Sequence, residues 1–295
     1  MEEAIKLRGA VMLSYNRSSG IRQRGFTLIE LLIVIGTIAL LMSIMLPALN
    51  RARGQTRTVV CLNNLRQLGL AFSCYASDYE EYAMPLFEPA TDTYWWGRKL
   101  SNGIDHTKGF VWPYLKSELE RESVYECPAQ RYGSFTLQGK SDGVPDGPQW
   151  ITSTYGYNGY YLSPAKSAWL NIQYRPWQKI TTVIKPAEVI AFADTLLDWD
   201  VTGENPALTN IALLDPPYIL NNSATSWEKN LHPTTCFRHN GKANVVFVDG
   251  HCRPMKLEGG QYTSPEAKIG SIGKKNAPHY VPDYKSWPTG RRRKR

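Results

Sequence analysis

Four side chains in the second half of the sequence are of types that bind divalent metal ions. They are Asp194, His239, Asp249 and His251, and the last three follow the spacing His-x9-Asp-x-His. Imidazole nitrogens and carboxylate oxygens suit zinc or another divalent ion. This spacing matches no established catalytic geometry, and we favour a structural interpretation. In it, Asp249 caps a turn, and His239 forms a hydrogen bond to Asp249 or to the backbone.

A second group of acids offers the oxygen ligands that calcium requires. These candidate ligands are Asp194, Asp198 and Asp200. A zinc site is not indicated by spacing, because the five cysteines form no Cys-x-x-Cys pair. The sequence therefore predicts no metal or other cofactor, with calcium as the alternative.

Motifs for other kinds of chemistry are missing from the sequence. It contains no serine nucleophile elbow, no glycine loop for phosphate and no dinucleotide-binding fingerprint. We therefore predict that the chain is not an enzyme. A metal-dependent hydrolase that uses the histidines and acids above is the alternative.

The segment around His239 predicts a hairpin. The run 244–248, which is apolar at 245–248, is typical of a strand that is buried on both faces. Asp249 and Gly250 then supply a tight turn, because glycine accepts positive φ without penalty. The segment 251–255 is expected to begin the return strand.

Other parts of the C-terminal half predict short strands joined by loops. Strand-like runs occur at 180–184 and 189–193, with a turn at 185–188 between them. Residues 139–147 and 198–205 have the composition of surface loops. Strands without alternating helices indicate an α+β fold with an antiparallel sheet and long irregular loops.

The N-terminal half is dominated by an apolar run from Phe26 to Leu46 in which Glu30 is the only charge. As a helix, its 21 residues extend roughly 31 Å, enough to cross a bilayer core of ~30 Å. A lone carboxylate inside such a segment is costly, so Glu30 is a candidate functional residue.

Beyond Pro47 the apolar pattern becomes one-sided, which predicts an amphipathic helix. Pro85 is expected to end it, since a helix interior does not accept proline. We predict one long helix from about Phe26 to about Glu81, whose second half lies on a sheet; two helices broken near Gly54 are the alternative. The apolar stripe consists of Leu65, Leu68, Phe72, Tyr75, Tyr79 and Tyr82.

The segment Gly25-Phe26-Thr-Leu-Ile-Glu30 and the apolar run after it resemble the N-terminus of type IV prepilins and type II secretion pseudopilins. The resemblance implies that a prepilin peptidase cleaves between Gly25 and Phe26 and methylates the new N-terminus. It also implies that Glu30 faces the N-terminal amine of a neighbouring subunit. The implied partners are the peptidase, other pilin or pseudopilin subunits and the lipid bilayer.

A second resemblance concerns the C-terminal half. His239 and Asp249-Gly250 are similar to the His-x9-Asp-Gly motif of a prepilin-associated domain (DUF1559), whose role the resemblance does not define. Other recurring pieces of that domain are similar to residues 61–69, 125–128, 155–158 and 193–194.

Together these features predict the organisation of the chain. Residues 1–25 form a cleaved leader, 26–82 the long helix with a transmembrane part at 26–46, and 83–290 the α+β body; 291–295 form a basic disordered tail. The prepilin resemblance places the leader in the cytoplasm, the helix in the inner membrane and the body in the periplasm. There disulfides persist, and we expect one between Cys61 and Cys127 that joins the helix to the body.

Charge and aromatic content bear on partners. The net charge of +8 comes from the leader and the tail, which leaves the body formally neutral, so nucleic acid is not expected as a partner. We favour core filling over sugar-stacking platforms for the aromatic residues Trp95, Trp96, Trp112, Tyr155, Tyr157, Tyr160, Tyr161 and Trp169. The predicted function is a structural pilin-like subunit; the alternative is a membrane-anchored protein that binds a polysaccharide or peptide without forming filaments.

Overall fold

The computed structural model describes residues 26–101, 103–117, 123–130, 152–164, 177–200, 207–220, 226–258 and 262–283. The predicted leader with Gly25, the predicted loop 139–147, Trp169 and the basic tail lie outside these ranges. The chain divides into two compact units between Leu49 and Asn50.

One helix, α1, extends from Leu28 to Asp78 without interruption and includes Pro47. The prediction of a single long helix is confirmed, and no break occurs near Gly54. The helix ends three residues before the predicted end. The cause is the left-handed backbone of Glu80 and Glu81, with φ of 51° and 69°, which cannot continue an α-helix.

In the first unit, the large apolar side chains of α1 from Leu28 to Leu49 are exposed. Among the described residues, α1 is the one helix that is long and apolar enough to cross a membrane. A helix surface that is apolar on all sides is typical of a membrane span.

In the second unit, short strands follow α1, and all those in the described residues lie in two-stranded or four-stranded antiparallel sheets. The elements are β1 Phe87–Glu88, β2 Thr93–Tyr94, β3 Gly97–Leu100, β4 Gly103–Asp105, α2 Trp112–Leu115, β5 Tyr155–Tyr157, α3 Gly159–Leu162, β6 Ile190–Asp194, β7 Leu197–Asp198, β8 Leu208–Thr209, β9 Tyr218–Leu220, β10 Trp227–Lys229, β11 Thr235–Cys236, β12 Lys242–Phe247, β13 Cys252–Lys256 and β14 Ile269–Gly270. A long helix followed by antiparallel sheets is the α+β class expected from the sequence.

The central sheet has the strand order β13-β12-β6-β5. Val246 of β12 pairs with Phe192 of β6, which pairs with Tyr157 of β5. All five residues of β6 are buried, as are the last five of β12. Strands buried on both faces need cover on both sides of the sheet, and α1 supplies part of it.

Two of the three predicted strands are confirmed, as β6 and β12, and so is the hairpin between β12 and β13. Gly250 has φ of +86°, the conformation that the tight turn requires. The predicted strand at 180–184 is wrong, because Ile180–Thr182 form a 3₁₀ turn. The backbone N–H of Val183 donates to the carbonyl of Ile180, so a local bond replaces sheet pairing.

The helix packs on the sheet through part of the predicted stripe. Leu65, Leu68, Phe72 and Tyr75 are buried, and the Phe72 ring lies 5.8 Å from the Tyr157 ring and 6.0 Å from the Phe192 ring. The stripe stops there, since Tyr79 and Tyr82 at its end are exposed.

Most of the aromatic residues named above fill the core, as predicted. Trp95, Trp96, Tyr155, Tyr157, Tyr160 and Tyr161 are buried. Trp112 is half-buried. Buried rings have no face open to a sugar, so the six buried residues form no stacking platform.

Candidate functional site

The start of α1 places Glu30 next to Thr27. The Glu30 carboxylate accepts hydrogen bonds from the backbone N–H of Thr27, at 2.9 Å, and from its hydroxyl, at 2.8 Å. In return, the Thr27 hydroxyl oxygen accepts from the backbone N–H of Glu30 at 3.2 Å. This reciprocal arrangement is a capping box, which satisfies N–H groups that a helix start leaves free. Glu30 therefore has a local partner within its own chain.

The second unit brings four metal-binding side chains together. Cys61 lies on α1, Cys127 in the described segment 123–130, Asp194 at the end of β6 and His239 between β11 and β12. Their ligand atoms all lie within 4.8 Å of one another, and all four residues are buried. We call these residues the buried cluster.

Several contacts within the buried cluster are close. The Nε2 atom of His239 lies 3.2 Å from the Cys127 sulfur and 3.3 Å from Oδ2 of Asp194. The Cys61 thiol donates to Oδ1 of Asp194 at 3.4 Å. The carboxylate of Asp194 therefore connects the helix thiol to the imidazole.

The helix and Thr154, the residue before β5, hold the segment that carries Cys127. The side-chain amide of Asn64, one turn after Cys61, donates to the carbonyls of Ser123 and Glu126. The backbone N–H of Cys127 donates to the hydroxyl of Thr154 at 2.6 Å. Cys127 is therefore fixed from two sides by polar contacts.

Thr58 orients the imidazole of His239. The Thr58 hydroxyl donates its single proton to the carbonyl of Gly54 at 3.0 Å. Its oxygen, 3.2 Å from Nδ1 of His239, therefore accepts from Nδ1–H. This hydrogen bond leaves Nε2 as the ring atom that faces the buried cluster.

Asp194 has further partners that stabilise its charge. Its Oδ2 accepts the backbone N–H of Asn244 at 2.8 Å, and Nε of Arg238 lies 3.9 Å from Oδ1. The Arg238 guanidinium also donates to the side chain of Gln130 and to the carbonyl of Thr195. A buried carboxylate needs such partners, because burial alone disfavours its charged form.

The pKa values in the buried cluster follow from these contacts. Burial raises the pKa of Asp194, but the hydrogen bond to His239 and the charge of Arg238 outweigh burial and lower it below the ordinary value. Burial lowers the pKa of His239, while its bonds to Asp194 and Cys127 raise it to about 9. Burial raises the pKa of Cys61 strongly. The pKa of Cys127 shifts in the opposite direction. Its contacts with Cys61 and His239 lower this pKa to about 7 despite burial.

The structure separates the four metal-binding candidates Asp194, His239, Asp249 and His251 into two places. His239 and Asp194 lie in the buried cluster, whereas Asp249 and His251 lie exposed at the hairpin. Oδ1 of Asp249 accepts from the backbone N–H of His251 at 3.1 Å, so Asp249 caps the turn before Gly250 as predicted. The predicted partner of His239 was wrong, since its imidazole bonds to Asp194 and not to Asp249.

The three acids proposed for calcium do not come together. Oδ1 of Asp198 accepts the backbone N–H groups of Asp200, at 3.1 Å, and Ala207, at 2.9 Å. Asp194 instead belongs to the buried cluster. Within the residues that the structure describes, the buried cluster is the one group of three or more such side chains placed to hold a metal ion.

Cys61 and Cys127 meet as predicted, but both are free cysteines, so the expected disulfide is not formed. The buried cluster was not predicted from the sequence, because its four members lie far apart in the chain and form no Cys-x-x-Cys pair. A signal was present, since each of the segments 61–69, 125–128 and 193–194 and the His-x9-Asp-Gly motif contains one of the four residues.

A comparison with known families matches residues 21–46 to the prokaryotic N-terminal methylation motif. Searches of curated proteins and of solved structures each found no match. The match marks the chain as a prepilin-type substrate of prepilin peptidase. With the apolar first part of α1, it indicates a membrane-anchored protein.

Proposed function

We propose that the chain is a structural subunit, a prepilin-like or pseudopilin-like protein of a type II secretion or type IV pilus-like system. One observation carries this proposal. The methylation motif at 21–46 continues into a 51-residue helix whose first part exposes apolar side chains and whose second part packs on a sheet.

Processing follows from the position of the motif. Prepilin peptidase hydrolyses the peptide bond between Gly25 and Phe26, and the new amine of Phe26 is methylated. The leader stays in the cytoplasm, the first part of α1 crosses the inner membrane, and the body from residue 83 lies in the periplasm. The apolar helix surface that contacts lipid then packs against other subunits in a filament.

In this proposal, Glu30 sets the position of each subunit relative to its neighbour in the filament. In the isolated chain its carboxylate accepts two bonds from Thr27, and in a filament it faces the amine of Phe26 on a neighbouring subunit. In a low-dielectric environment an unpaired charge is costly, so a misplaced subunit is disfavoured.

The body has a structural and not a catalytic role in this proposal. Every member of the buried cluster is shielded from solvent, whereas a catalytic metal site keeps a position open for water or substrate.

The proposal is tested at the mature N-terminus. The full chain is expressed with and without a prepilin peptidase, and the purified protein is analysed by N-terminal sequencing and intact mass. We expect a chain that begins with methylated Phe26 only when the peptidase is present. An uncut chain, or a cut elsewhere, would falsify the proposal.

A second candidate function is a membrane-anchored receptor for a polysaccharide. A groove of about 420 Å³ is lined by Tyr75, Asp78, Tyr79, Glu80, Tyr82 and Trp177. Tyr79 and Trp177 are 53% and 44% exposed, so ring faces are open to a ligand. Aromatic faces stack on sugar rings, and the two carboxylates can accept hydrogen bonds from sugar hydroxyls.

Filament imaging and binding assays separate the two functions. A subunit forms filaments when co-expressed with its assembly partners, whereas the receptor stays in the membrane and binds polysaccharide. Retention of the purified full chain on immobilised polysaccharides should be lost in Trp177→Ala and kept in Trp199→Ala, which removes another exposed tryptophan outside the groove. Equal retention of both variants would exclude the groove.

A further inference from the structure

We propose that Cys61, Cys127, Asp194 and His239 form a closed, four-ligand structural site for Zn²⁺ that ties α1 to the sheet. The inference does not depend on the proposed filament function. It rests on the ligand types, their mutual distances, their burial and the groups that orient them.

The distances suit tetrahedral coordination. Zinc ligands at ~2.0–2.3 Å from the metal form a tetrahedron with edges of about 3.3–3.8 Å. With Oδ2 as the ligand atom of Asp194, the distances are 3.3 Å to His239 and 3.7 Å to the Cys61 sulfur, and His239 lies 3.2 Å from the Cys127 sulfur, so all three are near that range. The protein therefore holds these donor atoms almost as a bound ion requires.

The ligand types select the metal. Two cysteine thiolates and one imidazole favour zinc over magnesium or calcium, which prefer oxygen ligands. Bound zinc takes the place of the thiol protons of Cys61 and Cys127 and of any proton on Nε2 of His239, and these protons leave to solvent.

Groups around the ligands fix their orientation, as is usual for metal sites. The Thr58 hydroxyl accepts from Nδ1–H of His239, which directs Nε2 to the metal. The backbone N–H of Asn244 holds Oδ2 of Asp194.

The charges also balance. Zn²⁺ with two thiolates, one carboxylate and a neutral imidazole has a net charge of −1. The guanidinium of Arg238, with its side chain 9% exposed and 3.9 Å from Asp194, restores neutrality. A neutral assembly can be buried at a lower cost than a charged one.

A disulfide between Cys61 and Cys127 is the competing state of the same two sulfurs. It requires a bond of ~2.05 Å between the two sulfurs and removes the thiol proton that Cys61 donates to Asp194. The structure has both thiols free, with Cys61 close to Asp194 and Cys127 close to His239. We therefore favour the metal site.

The test uses the full-length chain purified in detergent without chelator. We expect one zinc per chain by elemental mass spectrometry. After removal of zinc with a chelator, added Co²⁺ should produce the visible and thiolate-to-cobalt absorption bands of a tetrahedral site. These measurements use the wild-type protein, so they stay informative if a ligand variant does not fold.

Variants then assign the ligands. Cys61→Ser and His239→Gln should lose stoichiometric zinc and the cobalt bands, whereas Cys74→Ser, an exposed thiol on the same helix, should keep both. Thr58→Val, which removes the partner of Nδ1 and no ligand, should lower zinc affinity about 10- to 100-fold.

Three outcomes would overturn the proposal. They are a Cys61–Cys127 disulfide in mass spectra of non-reduced protein, wild-type protein that binds neither zinc nor cobalt at one per chain, and cobalt bands that persist in Cys61→Ser.

Discussion

The Nε2 atom of His239 lies 3.3 Å from Oδ2 of Asp194, and both side chains are almost fully excluded from solvent. This contact joins the first residue of the His-x9-Asp-Gly motif to the end of β6. The other two motif residues, Asp249 and Gly250, form the hairpin turn. The motif therefore serves two separate sites, a buried polar cluster and a turn.

Replacement of Glu30 tests whether assembly needs its charge or only its helix cap. Glu30→Gln keeps an acceptor for the capping box but loses the charge, whereas Glu30→Val loses both. We expect both variants to insert in the membrane and neither to form filaments. Membrane fractionation and electron microscopy measure the two properties, and filaments from Glu30→Gln would assign assembly to the cap instead.

Gly69 and Gly54 are two glycines of α1 with different surroundings, so alanine substitutions at them can be compared. A Cβ atom at Gly69 would lie 2.7 Å from Cγ2 of Val246, whereas one at Gly54 would meet nothing within 4 Å. Alanine in a helix is favoured over glycine by up to ~1 kcal/mol, but overpacking a core costs about 1–3 kcal/mol. We expect Gly69→Ala to lower the thermal midpoint and Gly54→Ala to raise it slightly.

A compensating variant checks the steric cause. Val246→Ala in the Gly69→Ala background should recover part of the loss, because it removes the methyl group that clashes. If Gly69→Ala raises the midpoint as Gly54→Ala does, the helix does not approach β12 this closely.

Phe72 is expected to be a main contact between α1 and the sheet. It is 1% exposed and packs against Tyr157 and Phe192. Phe72→Ala should cost about 3–5 kcal/mol of unfolding free energy, measured by denaturant titration in detergent. Leu70→Ala, an exposed neighbour on the same helix, is the control and should change stability little. Equal effects of the two variants would contradict the packing described above.

Asp215 should make stability depend on pH. Burial raises the pKa of its carboxyl to about 7, above the ~3.9 of an unfolded chain. The folded state then binds the proton more tightly, so this contribution is full below pH ~4 and is lost as the pH rises through about 7.

Asp215→Asn removes this titration. The variant should therefore lose less thermal stability than the wild type between pH 5 and pH 8. Parallel melting curves of the two proteins at both pH values measure the difference, and identical losses would show that Asp215 does not titrate in this range.

Local patterns in the sequence predicted much of the fold. The run from Phe26 to Leu46 and the stripe from Leu65 to Tyr75 predicted α1, because helical periodicity acts over a few residues. The prediction of a buried stripe was wrong from Tyr79 onward, because the helix ends at Asp78 and the chain then turns away from the sheet. The run at 180–184 was mistaken for a strand, since a short apolar segment can satisfy its backbone in a 3₁₀ turn.

The sequence by itself determined the processing motif around Gly25 and Phe26, the apolar helix with Glu30 and the turn at Asp249 and Gly250. Each of these depends on residues that are adjacent or one helical turn apart. Only the tertiary structure decided that His239 meets Asp194, Cys61 and Cys127. Their proximity depends on strand register and on how α1 packs on the sheet, and no local spacing encodes either of these.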